Sequence, residues 1–272
     1  MQITERDIDI IHHVFRHRFL RSTHICQLVE GSEQAILRRL QTLYHHSYLE
    51  RPRVQIKYYN KNHNQPLIYG IARKGAELLK THREIPNKKI DWMLSKRSKT
   101  QFLEHTLEVA DFMVNLETKW IKESNVTLIQ EEALEASCHS PTSWKVPLRY
   151  KAETFTHYIE PDGLFALNFS HKADEEIGVI LEVDRGTMPI KRKSLRNSSI
   201  LRKLLAYETL WKQGFFKQTY GWKRVRVLFV VTNTRHKDRI QQIHKQAINS
   251  TECSSLFSEI SSKQNPIANH IT

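Results

Sequence analysis

The chain has few cysteines, no long apolar run and no glycine-rich phosphate loop, and each lack excludes a class of protein. Cys26, Cys138 and Cys253 are odd in number and far apart. They make neither a disulfide framework nor a zinc spacing, which fits a reducing, cytoplasmic setting. No apolar stretch reaches the ~18–20 residues that cross a bilayer, and the opening MQITERDIDII lacks the basic-then-apolar layout of a secretory signal. Without a GxxxxGK motif, an ATP-driven motor of that type is unsupported. No Ser/His/Asp hydrolase signature appears. A metal site of alternating His-hydrophobic-His type is missing too, since His12-His13 and His45-His46 are adjacent pairs inside expected helices.

What is present in excess is positive charge, a formal +13 over 272 residues, and it is unevenly spread. Lys+Arg against Asp+Glu is 16 to 9 over residues 1–95, 6 to 16 over 101–184, and 16 to 2 over 185–245. Two basic segments therefore flank an acidic middle. Basic surfaces of this size serve anionic polymers, because each phosphate neutralised releases condensed counterions. The length suits two ordinary domains or one large one.

The first 82 residues read as one unit. Thr4 precedes acids of a first helical turn, and Ile8, Ile11, Val14 and Phe15 follow at helical spacing. A second short helix is expected after Ser22, ending at Gly31, and a third from Ser32 with Ile36, Leu40 and Leu43 on its buried stripe. Gln34, Arg38 and Gln41 fall on the opposite side. Two strand-like segments follow, LERPRVQIKYY and PLIYGIA, around the polar loop NKNHNQ, and the helix KGAELLKTH closes the unit. Three helices and a basic hairpin are the layout of a winged helix-turn-helix DNA-binding domain. In that design Arg and Gln of the third helix read base edges while the wing, here Arg53, Lys57, Lys61 and His63, grips the backbone. Tyr58 and Tyr59 lie in the same wing, suited to phosphate or stacking contacts. A homodimer would suit a two-fold site on double-stranded DNA. Residues 83–99 are polar and basic with Pro86, and read as a linker.

Residues 100–249 read as a second domain. A long amphipathic helix is expected from Thr100, then strand-like sequence (VTLIQEEALE, VPLRYKAET), then HYIEPDGLFAL and EIGVILEVD. If these two runs pair as an antiparallel hairpin centred near Lys172, Asp162 stands ten residues before the centre and Glu182 ten after. They would then be cross-strand neighbours, with Cβ atoms roughly 4.5–5.5 Å apart. Asp184 shares the face of Glu182, while Phe165, Leu167, Val179, Leu181 and Val183 take the other. Adjacent carboxylates repel unless a proton or a cation intervenes. Two readings follow: oxygen ligands for Mg²⁺ or Mn²⁺ acting on a phosphodiester, or acids that face solvent or pair with Lys and Arg of 185–245. The run Lys191, Arg192, Lys193 adds phosphate-binding candidates. VRVLFVVTN reads as a buried strand, TRHKDRIQQIHKQAI as a basic helix, and 250–272 as a tail disordered in part.

PDGLF, followed about twenty residues later by LEVDRGT, resembles the PD-(D/E)xK nuclease core. More fully, the chain resembles the replication-relaxation family of plasmids and other mobile elements. The matching stretches are TERDIDII, AILRRLQTL, YLERP, PLIYGIARKGAELL, FLEHTLEVADF, IEPDGLFAL, ILEVDRGT, KLLAYETLW and RVLFVVTNTRH. The resemblance implies an α/β fold in which a restriction-nuclease-like α/β/α domain with a mixed central sheet follows the winged helix. It also implies action on plasmid or mobile-element DNA in replication, relaxation or mobilisation. By position Asp162 and Glu182 match the metal-binding acids. Where the pattern expects Glu-x-Lys the chain has Glu182-Val183-Asp184, so the strand lysine that would orient the attacking water is missing. In this superfamily it can migrate to the next helix, where Lys203 and Tyr207 lie four residues apart behind Ser198 or Ser199 as cap. Glu108 is a candidate for a further acid from the first helix of the domain. The alternative to a Mg²⁺- or Mn²⁺-dependent nickase or endonuclease is a nuclease-like fold without chemistry, binding DNA as a replication, partition or transcription factor.

Overall fold

Thr4 starts the first helix, α1 (Glu5–His17), by giving both its backbone N–H and its hydroxyl to Asp7 Oδ2 at 2.7 Å. That bond belongs to a computed structural model which describes residues 1–56, 65–83, 100–122, 126–138, 143–150, 153–169, 176–231, 234–247 and 256–261. The fold is α/β overall with a mixed central sheet. It divides into two compact units, Met1–Lys119 and Trp120–Thr272. The helix Thr100–Asn115 thus groups with the first unit, although the sequence reading had opened the second domain with it.

In the first unit α1 leads into β1 (Phe19–Arg21), α2 (Ser22–Leu28), α3 (Glu33–His45), β2 (Leu49–Glu50), β3 (Ile68–Ile71), α4 (Arg73–Arg83) and α5 (Thr100–Asn115). A single π-helical turn, Leu116–Trp120, continues α5. The expected stripes are buried: Ile8, Ile11, Val14 and Phe15 of α1 pack with Ile36, Leu40 and Leu43 of α3, and with Ala110 and Val114 of α5. Ser32 caps α3, accepting the Ala35 N–H at 3.4 Å. Two expectations change. Helix α2 ends at Leu28 rather than running to Gly31. The segment LERPRVQIKYY is not one strand: β2 is two residues long, because Pro52 has no N–H for the ladder. Instead Gln55 N–H bonds back to Pro52 O at 3.0 Å. The Gln55 side chain then takes the place of a strand, accepting the Ile68 N–H at 3.1 Å and donating to Ile68 O at 3.3 Å. Strand β1 pairs antiparallel with β3, giving the order β1-β3-β2; only three residues long, it carries too little alternation to be read from sequence.

In the second unit β4 (Val126–Gln130), α6 (Glu131–Cys138), β5 (Trp144–Tyr150), β6 (Glu153–Ile159), β7 (Gly163–Phe169) and β8 (Glu176–Asp184) precede α7 (Ile200–Lys212) and α8 (Phe215–Tyr220). Strand β9 (Arg224–Val231), α9 (Thr234–Ala247) and β10 (Phe257–Ser261) complete it. The sheet order is β10-β9-β8-β7-β4, with β10, β9 and β8 mutually parallel and β7 and β4 antiparallel. The run HYIEPDGLFAL is therefore two strands: His157–Ile159 ends β6, which pairs with β5 in a separate hairpin, and Pro161 breaks the chain before β7. EEALE is helix α6, not strand. Strand β10 stands within what was expected to be a partly disordered tail.

One sheet face meets α7, α8, α9 and the β5–β6 hairpin in a core of Leu164, Ala166, Ile180, Val227, Phe229, Leu204, Tyr207 and Trp144. Gly178 is required there, since a Cβ would lie 2.0 Å from the Trp222 ring. Trp222 in turn donates to Glu176 at 2.7 Å.

Asp7 is fully buried and takes Arg39 Nε at 2.5 Å and Nη2 at 2.6 Å, tying α1 to α3. Burial alone would raise its carboxyl; the Arg39 and Thr4 bonds outweigh that and hold it below the ordinary range. Its stabilisation is therefore complete above pH ~3.8 and is lost as pH falls through the lower folded value. Asp7→Asn should cost about 3 kcal/mol at pH 7, read as faster hydrogen exchange in α1 and α3, and the deficit should shrink below pH ~4.

Candidate functional site

Strands β7 and β8 pair in the register Gly163↔Leu181, Leu164↔Ile180, Phe165↔Val179. One step outward the same register sets Asp162 opposite Glu182, as the loop length predicts. Asp162 closes the corner: its N–H donates to Leu181 O at 3.0 Å and its Oδ2 accepts the Val183 N–H at 2.8 Å. Burial extends to both faces of β8, so the acid-bearing side is no solvated surface. Glu182 is 1% exposed and Asp184 6%.

Helix α7 supplies the partners. Ser199 caps it, accepting the Arg202 N–H at 3.3 Å, and so sets Lys203 in the first turn and Tyr207 one turn further on the same face. Lys203 Nζ donates to Glu182 Oε2 and Tyr207 Oη donates to Glu182 Oε1, both in short contacts. The Lys203 side chain is 21% exposed. Tyr207 is fully buried, its ring edge-on to Trp144 at 6.4 Å.

Two histidines complete the cluster. His236 of α9 presses its Nε2 on Asp184 Oδ2, while Asp184 Oδ1 accepts the Gly186 N–H at 3.2 Å. His157 of β6 is held down to about 4 by burial and by the charges of Arg202 and Lys203, so its imidazole is neutral at pH 7.

The charges answer one another. Burial pushes the Glu182 carboxyl up to about 7; Lys203 opposes this and Asp162 adds to it. Burial works against the Lys203 ammonium, but Glu182, Asp162 and Asp184 outweigh it and keep it charged beyond its ordinary range. Burial and Glu182 hold the Tyr207 phenol far above its usual value, so it stays a donor. The centre can thus carry a proton or a cation on Glu182 near neutrality, beside a fixed ammonium.

Of the residues singled out in the sequence, the structure brings together Asp162, Glu182, Lys203 and Tyr207, with Asp184 on the same strand facing His236. Glu108 is half-buried on α5 in the first unit, whereas those residues belong to the second. The third acid does not complete a ligand cluster: among the described residues only His13, His17 and Glu117 bring three ligand atoms within 4.8 Å of one another. Gln34, Arg38 and Gln41 are exposed on α3, and Arg53 is exposed in the turn after β2. Lys57, Lys61 and His63 lie outside the described residues. Lys191, Arg192 and Lys193 are exposed on the loop between β8 and α7. Lys191 shares a groove of about 350 Å³ with Arg239 and Gln242 of α9. The sequence reading missed His236, His157 and Arg239. For His236 a signal existed, since it recurs with Ile240 and Ile243 on the buried stripe of α9.

The family model described as replication-relaxation matches residues 11–225, most of the chain and the whole of this cluster except His236. The chain belongs to the replication-relaxation family. Membership points to a role in plasmid or mobile-element replication or relaxation. No curated protein and no solved structure matches the chain. Among the described residues no helix is long and apolar enough to cross a membrane.

A carboxyl raised to about 7 in the folded state and near 4.5 unfolded binds its proton more readily in the native protein between those values. Stability from Glu182 is therefore greatest at the acid end and falls as pH rises from about 4.5 through 7. Lys203, raised above 10.5, contributes no slope in that window. Glu182→Gln should flatten this decline, so that urea midpoints of variant and native protein converge or cross between pH 4.5 and 8.

Proposed function

We propose that this replication-relaxation protein binds double-stranded DNA of a plasmid or mobile element through its first unit. We further propose that its second unit nicks or cleaves that DNA with Mg²⁺ or Mn²⁺. The observation that carries the reading is Lys203 on Glu182, in register with Asp162. In this reading Lys203, supplied by a helix, takes the role that the PD-(D/E)xK pattern gives to a strand lysine, where this chain has Asp184. The donor set fits a hard divalent ion, with two adjacent carboxylates of which one is otherwise costly to ionise. Asp162 and Glu182 would hold the ion, which supplies Lewis acidity toward a phosphodiester and an activated water. Tyr207 fixes Glu182 Oε1, so the ion would reach this carboxylate at Oε2, from which the Lys203 ammonium would have to move aside. Lys203 orients the attacking water and offsets charge on the phosphate. The basic segment 185–245, with Lys191, Arg192, Lys193 and Arg239 on its surface, draws the backbone in.

The helices α1–α3 with the order β1-β3-β2 support a winged-helix reading of the first unit, and α3 offers Gln34, Arg38 and Gln41 to a groove. Arg38→Ala should weaken specific DNA binding by about 1–3 kcal/mol, with little change for a scrambled site, in a fluorescence titration at fixed salt.

A second reading rests on the same pair: Lys203 already satisfies Glu182, so the centre could serve as a structural ion pair in a DNA-binding protein without chemistry. Incubating supercoiled plasmid with the protein and Mg²⁺ or Mn²⁺ separates the two. Cleavage should be lost in Asp162→Ala and reduced by about 10²-fold or more in Lys203→Ala. Absence of any cleavage that depends on Asp162 and Glu182 leaves the binding function alone.

A further inference from the structure

A cluster of metal-ligand side chains lies in the first unit, apart from the chemistry proposed above. His13 and His17 are four residues apart on α1 and so share one face. The π-helical turn after α5 presents Glu117 to the same point, and one nitrogen or oxygen from each of the three lies within 4.8 Å of the others. At that point stands Arg16, whose Nη2 is 3.1 Å from His13 Nδ1, 3.2 Å from His17 Nε2 and 2.5 Å from Glu117 Oε2. A guanidinium nitrogen has two hydrogens, and here it meets three acceptor-capable atoms.

We propose that His13, His17 and Glu117 are a binding site for a divalent transition ion of the zinc class, held closed by Arg16. Two imidazoles and a carboxylate suit zinc, cobalt or nickel and not magnesium. Ligands about 2.1 Å from a tetrahedral zinc ion stand roughly 3.4 Å apart. His17 Nε2 and Glu117 Oε1 are already 3.3 Å apart, so the ion needs only the His13 ring to close in as Arg16 swings out. A single ion then serves all three donors, with a fourth position for water. Arg16 is a tethered competitor, and the metal joins α1 to the turn after α5 where the guanidinium joined them before. The site is independent of Asp162 and Glu182, and its ligand chemistry separates it from any Mg²⁺ or Mn²⁺ bound there.

The test is a calorimetric Zn²⁺ titration of the full chain in excess Mg²⁺, paired with Co²⁺ absorption to report ligand geometry. Arg16→Ala should bind Zn²⁺ at least about tenfold tighter than the native protein, because the competing hydrogen bonds are gone. His13→Ala and Glu117→Gln, each combined with Arg16→Ala, should lose that site, while Asp162→Ala should keep it. Hydrogen exchange confirms that each variant is folded. Weak native binding with a tight, His13-dependent site in Arg16→Ala supports the proposal. Equal affinity with and without Arg16, or Zn²⁺ binding indifferent to His13 and Glu117, overturns it. So does the absence of binding in both.

Discussion

A carboxylate enclosed in the middle of a sheet must be met by a proton or by a cation, and Glu182 imposes that requirement on the second unit. With 1% of its surface exposed, neither oxygen can turn to water for its hydrogen bonds. Both come from α7: the Tyr207 hydroxyl on Oε1 and the Lys203 ammonium on Oε2. The placement of α7 follows from that need and from its cap at Ser199, which fixes where Lys203 falls relative to β8. The β5–β6 hairpin then closes over the same helix, with Trp144 against Tyr207, and His157 stays neutral beside the ammonium. Removing the carboxylate would leave Lys203 and Tyr207 half-answered; removing Lys203 would leave a buried charge that only protonation could relieve.

How much of this was legible in the sequence depended on how locally each element is determined. The Asp162–Glu182 register was readable because a hairpin connects neighbours in the chain, so counting outward from Lys172 suffices. Lys203 and Tyr207 were readable as one helical face behind a serine cap. His236 was not, because its place next to Asp184 depends on a parallel crossover. Strand β9 must first lie against β8 with Val231 beside Asp184, and only then does α9 begin at the right corner. The stretch ending at Ile159 was merged with β7 because both halves are apolar, and Pro161 was read as part of a strand rather than as its end. In the first unit the helices and their buried stripes were plain, while β1 was too short for any period to show. The exchange of a strand for the Gln55 side chain beside Ile68 left no periodic trace at all.

Several buried or half-buried acids among the described residues are each met by a basic side chain. Asp7 takes Arg39, Glu117 takes Arg16 and Glu182 takes Lys203. The difference lies in the partner's geometry. The Arg39 fork matches the Asp7 carboxylate with two parallel bonds, which is a fixed structural join between two helices. Arg16 is shared among an acid and two imidazoles, and Lys203 offers a compact ammonium on a flexible stem with part of its surface in water. The last two are the joins at which we propose that another cation competes. The first is not one of them.

The net charge around Glu182 sharpens that contrast. Asp162, Glu182 and Asp184 bring three acids to the end of β8, against one fixed ammonium from Lys203 and an imidazole from His236. A proton on Glu182 near neutrality reduces the excess, as the carboxyl raised to about 7 reflects. Yet the same unit carries a basic groove that Lys191 and Arg239 line. A phosphate brought to the acids would be repelled unless a cation stood between them. A lysine at position 184 would have lessened the repulsion directly. Asp184 there increases it, so under the proposed nuclease function a divalent ion would be needed all the more for DNA to reach the acids.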